Sequence, residues 1–124
     1  MTNAMTLMTT LFSCLDERRW GDIPALLADD FLCTYTHTGE RFDCDGFVRL
    51  NADYPVRVRL MVEQVLADGD QAVVRARVFN DEAHHVASFG TAADGLLVSL
   101  VEVWAEDTGD ASRTPRARTP PTPG

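Results

Sequence analysis

Glu102 sits inside the run Leu96 to Trp104, in which nearly every other residue is apolar or β-branched. A carboxylate in such a run must be paired, protonated or put to use. Strand side chains alternate between faces, so Val98, Leu100, Glu102 and Trp104 share one face while Leu97, Ser99, Val101 and Val103 share the other. The composition of the run predicts a central strand buried on both faces. A carboxyl in an apolar cavity has its pKa raised toward neutrality, and histidine titrates there already. Glu102 and His85, on neighbouring antiparallel strands, would then make a base and its orienter. Tyr35 and His37, two residues apart on an earlier β-rich stretch, add a phenol and an imidazole. Plainer readings stand beside these. Glu102 could pair with an arginine or with His85, His85 could be a satisfied structural histidine, and Tyr35 and Trp104 could be core packing.

Other chemistries find less support. Cys14, Cys33 and Cys44 lack CxxC spacing and read as small packing residues; the alternative is a catalytic thiol with His37 or His85, against which stands the inertness of buried cysteines. His37, His84 and His85 show neither HxxxH nor HxH spacing, and adjacent histidines on a strand point to opposite faces, so no metal site is expected. The chain contains no glycine-rich phosphate loop, GxSxG elbow or dinucleotide motif. A pocket here is expected to work without a cofactor.

The totals narrow the class further. With 124 residues and 45% hydrophobic content, the chain is long enough for one core. Nineteen acidic residues oppose eleven arginines and no lysine, for a net charge of −8, so nucleic acid is not an expected partner. No apolar run approaches the roughly 20 residues that span a bilayer, and MTNAMTLMTT lacks the basic start and long apolar centre of a signal peptide. A reduced, cytoplasmic protein is the expectation.

The elements that must position Glu102 can be read in order. Met5, Met8, Leu11, Phe12 and Leu15 recur at three- and four-residue steps, predicting a helix from Met5 to Arg19. Asp22 can cap a shorter second helix, with Pro24 in its first turn and Ile23, Leu26 and Leu27 facing inward. Phe31 to His37 alternates as a first strand, and Glu40 to Phe42 can add a second. Asp43 or Asp45 then caps a third helix over Gly46 to Ala52, closed by Tyr54-Pro55. Two long strands follow, Val56 to Ala67 and Gln71 to Phe79, joined at Asp68-Gly69-Asp70; Asp94-Gly95 marks the last hairpin.

On the first two long strands, Arg57, Arg59, Met61 and Glu63 lie opposite to Val58, Leu60 and Val62, and Val73, Arg75, Arg77 and Phe79 opposite to Val74, Ala76 and Val78. The arginine-bearing face is either a solvated surface with weak ion pairs or a homodimer interface or anion site. Residues 1–109 form the expected domain. Residues 110–124, rich in Pro, Thr and Arg, form an expected disordered tail.

The stretches ALLADDFLCTYTHTG and DGLLVSLVEVW resemble the SnoaL-like members of the nuclear transport factor 2-like superfamily, over residues 5 to 107. The resemblance implies an α+β cone, with about three N-terminal helices packed on a curved, mostly antiparallel sheet around an apolar pocket. It also implies a cofactor-free cyclase, isomerase or dehydratase acting on a hydrophobic, oxygenated, polyketide-like molecule, or else a silent binding or dimerisation domain. Tyr35 stands where ketosteroid isomerases of the superfamily carry an aspartate base, Leu11 where their helix-one tyrosine stands, and His85 near their protonated aspartate. The isomerase route is therefore not implied. The candidate catalytic set is Glu102, His85, Tyr35 and His37, in a substrate pocket lined by Trp104, Leu100, Phe12 and Tyr54.

Overall fold

A computed structural model describes residues 3–107; the boundary expected after residue 109 and the tail 110–124 lie outside them. Helix α1 (Ala4–Glu17) starts at Asn3, whose side chain accepts from the Thr6 N–H at 3.0 Å, and stops at Arg18 in the left-handed region. Its buried stripe is Ala4, Leu7, Met8, Leu11, Phe12, Cys14 and Leu15. Met5, expected in that stripe, is exposed. One residue is a 100° rotation on a helix, and Ala4 and Leu7 occupy the covered face instead.

Two 3₁₀ turns, Trp20–Asp22 and Pro24–Leu26, replace the expected second α-helix. The chain is already extended at Leu27, which leaves too few residues for an α-helix. Ile23 and Leu27 are nevertheless buried as expected. Strand β1 (Leu27–Tyr35) thus begins earlier than its alternation suggested and includes Asp29 and Asp30, both exposed. It also ends earlier, so that His37 lies in the following turn. After β2 (Arg41–Phe42), α2 (Cys44–Ala52) is capped by Asp43, which accepts from the Gly46 N–H at 2.8 Å. Phe47 of α2 meets Phe31 of β1 edge-on at 5.6 Å, pinning this helix to the sheet.

Four long strands complete the fold: β3 (Arg59–Asp68), β4 (Gln71–Phe79), β5 (Ala83–Ala93) and β6 (Leu96–Asp107). The six-stranded order is β2-β1-β6-β5-β4-β3, antiparallel except for β1 beside β6. The β5–β6 turn uses Asp94 and Gly95 at φ 53° and 78°, the paired positive values a two-residue hairpin requires. Helix α1 lies across β3, β4 and β5. It approaches β5 at Gly90, where an added Cβ would stand 2.4 Å from Met8 Sδ, so only glycine admits the helix this closely.

The helical segments cover one face of the sheet and leave the other open. Strand β6 is accordingly buried on one face, not two: Val101 and Val103 are 41% and 45% exposed. A bulge where Thr91 pairs with Ser99 and Ala92 with Leu97 turns Leu97 inward, onto the face expected to carry Val98. A second bulge, between Val62 and Gln64, brings Val65 inward on β3 and leaves Val62 exposed.

Candidate functional site

The concave face is built of cross-strand rows. At its closed end, Cys33, Leu100, Gly90 and Ala72 form a row from β1 to β4, and all but Gly90 belong to the hydrophobic core. The next row is Tyr35, Glu102, Ser88 and Val74, and the one after it begins Trp104, Val86 and Ala76. Three polar groups therefore stand side by side between two apolar rows. Toward the loops at residues 53–58 and 80–82 this face opens into a cavity of about 340 Å³.

Seven of the ten aromatic residues line that cavity: Phe12, Trp20, Tyr35, Phe47, Tyr54, Phe79 and Trp104. Its walls can therefore stack against a hydrophobic ligand, while Glu102, His37, His84, Asn51, Asn80, Glu82 and Arg18 supply the charged, imidazole and amide contacts. An arc of rings runs along one wall. His37 stacks on Tyr35 at 5.8 Å, Tyr35 leans toward Trp104 at 6.1 Å, and Trp104 meets His84 edge-on at 6.4 Å.

Glu102 is 5% exposed. Ser88 Oγ donates a short hydrogen bond to its Oε2, and Trp104 Nε1–H donates to its Oε1 at 3.2 Å. Burial pushes the carboxyl upward from its ordinary value, and the two donors pull part of the way back by favouring the charged form. Among the described residues, no cation forms an ion pair with it. Burial beside this carboxyl also pushes the Tyr35 phenol up, which keeps it a donor.

The structure brings Tyr35, His37, Glu102, Trp104, Phe12 and Tyr54 to one cavity. It does not bring His85 there. Strand β5 turns Val86, Ser88 and Gly90 inward, so His85 faces outward, its Nε2 3.1 Å from Asp107 Oδ2, an oxygen also 3.6 Å from Arg77 Nη2. The imidazole on the cavity wall is that of His84. Leu100 is likewise displaced: it is fully buried in the closed-end row and does not line the cavity.

Ser88 is not singled out by the sequence, and His84 enters there only as a candidate metal ligand. Phe89, the largest apolar residue of β5, is 45% exposed on the open face. Phasing the strand on it puts His85 inward. A regular ladder from the Asp94-Gly95 turn would also pair Glu102 with Ala87; the bulge shifts that partner to Ser88.

The thiols take no part in the cavity. All three cysteines are free, none lines it, and burial pushes the Cys33 thiol up, away from the reactive thiolate. Among the described residues no group of three or more His, Cys, Asp or Glu side chains is placed to hold a metal ion.

No family sequence model matches the chain, and no curated protein matches it in sequence. Solved structures do. A Kribbella flavida protein provisionally assigned as a ketosteroid isomerase superposes with a TM-score of 0.81 at 28% identity, covering 98% of this chain and 90% of its own. An NTF2-like protein of unknown function from Burkholderia xenovorans gives 0.78 at 15% identity, covering 95% and 93%. An LEH-like epoxide hydrolase of M. tuberculosis gives 0.69 at 16% identity, covering 86% and 84%. The chain is an α+β domain of the nuclear transport factor 2-like fold, in agreement with the SnoaL-like resemblance of its sequence.

Proposed function

We propose that this domain is a cofactor-free acid–base enzyme, a cyclase, isomerase or dehydratase acting on a hydrophobic, oxygenated, polyketide-like metabolite. The observation that carries the reading is Glu102: a buried carboxyl without a cationic partner among the described residues, on the wall of an aromatic cavity. In its protonated form it can donate to a substrate carbonyl; ionised, it can take a proton from the adjacent carbon. The Tyr35 phenol next to it supplies a neutral donor to a developing oxyanion. His37 and His84 on the same wall can relay protons to water, and the apolar walls hold the substrate in a reactive shape.

The names of two similar structures, isomerase and epoxide hydrolase, support small-molecule chemistry for the fold. The steroid isomerase route itself is not proposed, since Tyr35 and Leu11 replace the expected base and tyrosine, and Leu11 is fully buried. In a screen of cyclic ketones, polyketide-like enones and epoxides, Glu102→Gln should reduce turnover by about 10²–10⁴. Unchanged turnover would remove Glu102 from the mechanism.

A second reading, a non-catalytic binding or dimerisation domain, is favoured by one observation: both Glu102 oxygens already accept protein donors. Native mass spectrometry separates the two, because a retained ligand that is never converted supports binding alone. We further propose that the domain pairs with a second copy of itself through its open sheet face and works in the cytoplasm. The net charge of −8 argues against a nucleic acid partner, and among the described residues no helix is long and apolar enough to cross a membrane. The three free thiols support a reducing compartment.

A further inference from the structure

Among the described residues, only two polar side chains are buried, Ser88 and Glu102, and they stand directly opposite each other on β5 and β6. A buried hydroxyl without a partner costs about 1–3 kcal/mol, so its place between two apolar rows needs a cause. Val86, two residues before Ser88 on β5, and Val74, its register partner on β4, are buried apolar neighbours on the same face. Gly90, two residues on, lets Met8 of α1 sit against the strand, and Ser88 itself is fully buried.

The donor chemistry of the pair is asymmetric. Trp104 Nε1–H can only donate, so Oε1 of Glu102 is an acceptor in both protonation states. Ser88 Oγ can donate or accept, and it is the group that can follow a proton onto and off Oε2. Tyr35 and Trp104 flank the same carboxyl on the cavity side. A hydroxyl that only filled space would not need to meet the one buried acid among the described residues.

We propose that Ser88 is the positioning residue of this site: its hydroxyl fixes the Glu102 carboxyl against the sheet and keeps the ionised form available inside a dry aromatic cavity. This inference rests on the reading of Glu102 as the proton shuttle, and its test needs no substrate. Without the Ser88 donor the carboxylate would face apolar walls with Trp104 as its only remaining donor, and the acid would stay protonated over the working range.

The experiment is a carbon-13 NMR titration of the full chain with labelled glutamate side chains, the Glu102 resonance being identified by its loss in Glu102→Gln. The wild type should titrate within the accessible pH range. Ser88→Ala should raise the Glu102 midpoint by about one to two pH units, the shift expected from losing one hydrogen bond to a charged group. Ser88→Cys, similar in volume and a weak donor, should move it the same way, whereas Ser88→Thr should keep it near the wild-type value. A midpoint unchanged in both Ser88→Ala and Ser88→Cys would overturn the proposal, even if their melting temperatures fell. A wild-type Glu102 that stays protonated throughout would overturn it too. Neither result depends on turnover, so the failure of Ser88 as positioner is distinguishable from the failure of Glu102 as shuttle.

Discussion

Tyr35 and Glu102 are register partners across the parallel pair of strands, β1 and β6, and the phenol ring leans toward Trp104 on the cavity side. Burial raises the phenol pKa first, and the neighbouring carboxyl raises it further. Tyr35 should therefore ionise later than free tyrosine in an ultraviolet titration. If it donates to an oxyanion, Tyr35→Phe should lower kcat by about tenfold or more with little change in KM, since the donor acts on charge that develops in the transition state. A change confined to KM would make Tyr35 a wall.

Glu102 should cost the protein stability at neutral pH. Its folded pKa lies above the unfolded value of about 4.3, because burial disfavours the charged form. The fold therefore binds the proton more tightly than the unfolded chain does. Stability is greatest below about pH 4.3 as far as this group is concerned, falls as pH rises through the window between the two values, and stays low above the folded one. Glu102→Gln keeps the shape without the charge, so it should melt higher than the wild type at pH 8, by about 1 kcal/mol or more, and nearly equally at pH 4. Equal melting at both would mean that the carboxyl is not destabilised by its site.

How much of this could be read from the sequence differs from strand to strand. Glu102, Trp104 and Tyr35 were legible because each breaks or closes a strong alternating pattern, and a carboxylate among leucines and valines is conspicuous. His85 was misplaced because the phase of β5 is hidden. Of its inward residues Val86, Ser88, Gly90 and Ala92, only Val86 is sizeable and apolar, α1 presses close at Gly90, and Phe89, its largest apolar residue, faces outward. Hydrophobicity alone assigns that strand the wrong way round. The bulge near Leu97 then hid Ser88, because a ladder register follows local backbone geometry as well as side-chain pattern. The 3₁₀ turns at Trp20–Asp22 and Pro24–Leu26 carry helix-start signals, but the strand that follows takes the residues a helix would need.

Asp16 ties α1 to the edge strand β3. Its Oδ1 accepts from Arg59 Nε and from the Leu60 N–H, each at 2.9 Å. The Arg59 guanidinium holds this carboxyl below its usual range. Because the folded pKa is depressed, the contribution is fully present above about pH 3.9 and is lost as pH falls through the folded value. Asp16→Asn should therefore destabilise the fold by about 1 kcal/mol at pH 7 and by less as the pH approaches 2. Thermal melts at the two pH values check this, and a constant difference would assign the loss to packing.

The open face of the sheet carries a continuous apolar row, Val101, Phe89, Val73 and Leu66, in register from β6 to β3. Beside it run Arg75, paired with Glu63, and the cluster of Arg77, His85 and Asp107. The arginine-bearing face thus adjoins an apolar stripe wider than Met61 and Phe79 alone, and Phe79 itself reaches the cavity lining. A monomer would leave that stripe in water as one patch. In the proposed homodimer, two-fold symmetry would set this stripe against its own copy, with arginines and acids around a central apolar contact. Phe89 lies in the middle of the row, so Phe89→Arg places two guanidinium groups where two rings would meet. Sedimentation at micromolar concentration should give roughly twice the chain mass for the wild type and a shift to monomer for Phe89→Arg, whereas Leu100→Ala, in the closed-end core, should melt lower by about 2–5 kcal/mol yet still pair. A wild type that sediments as a monomer would mean that the stripe is solvated and that the arginines beside it serve no interface.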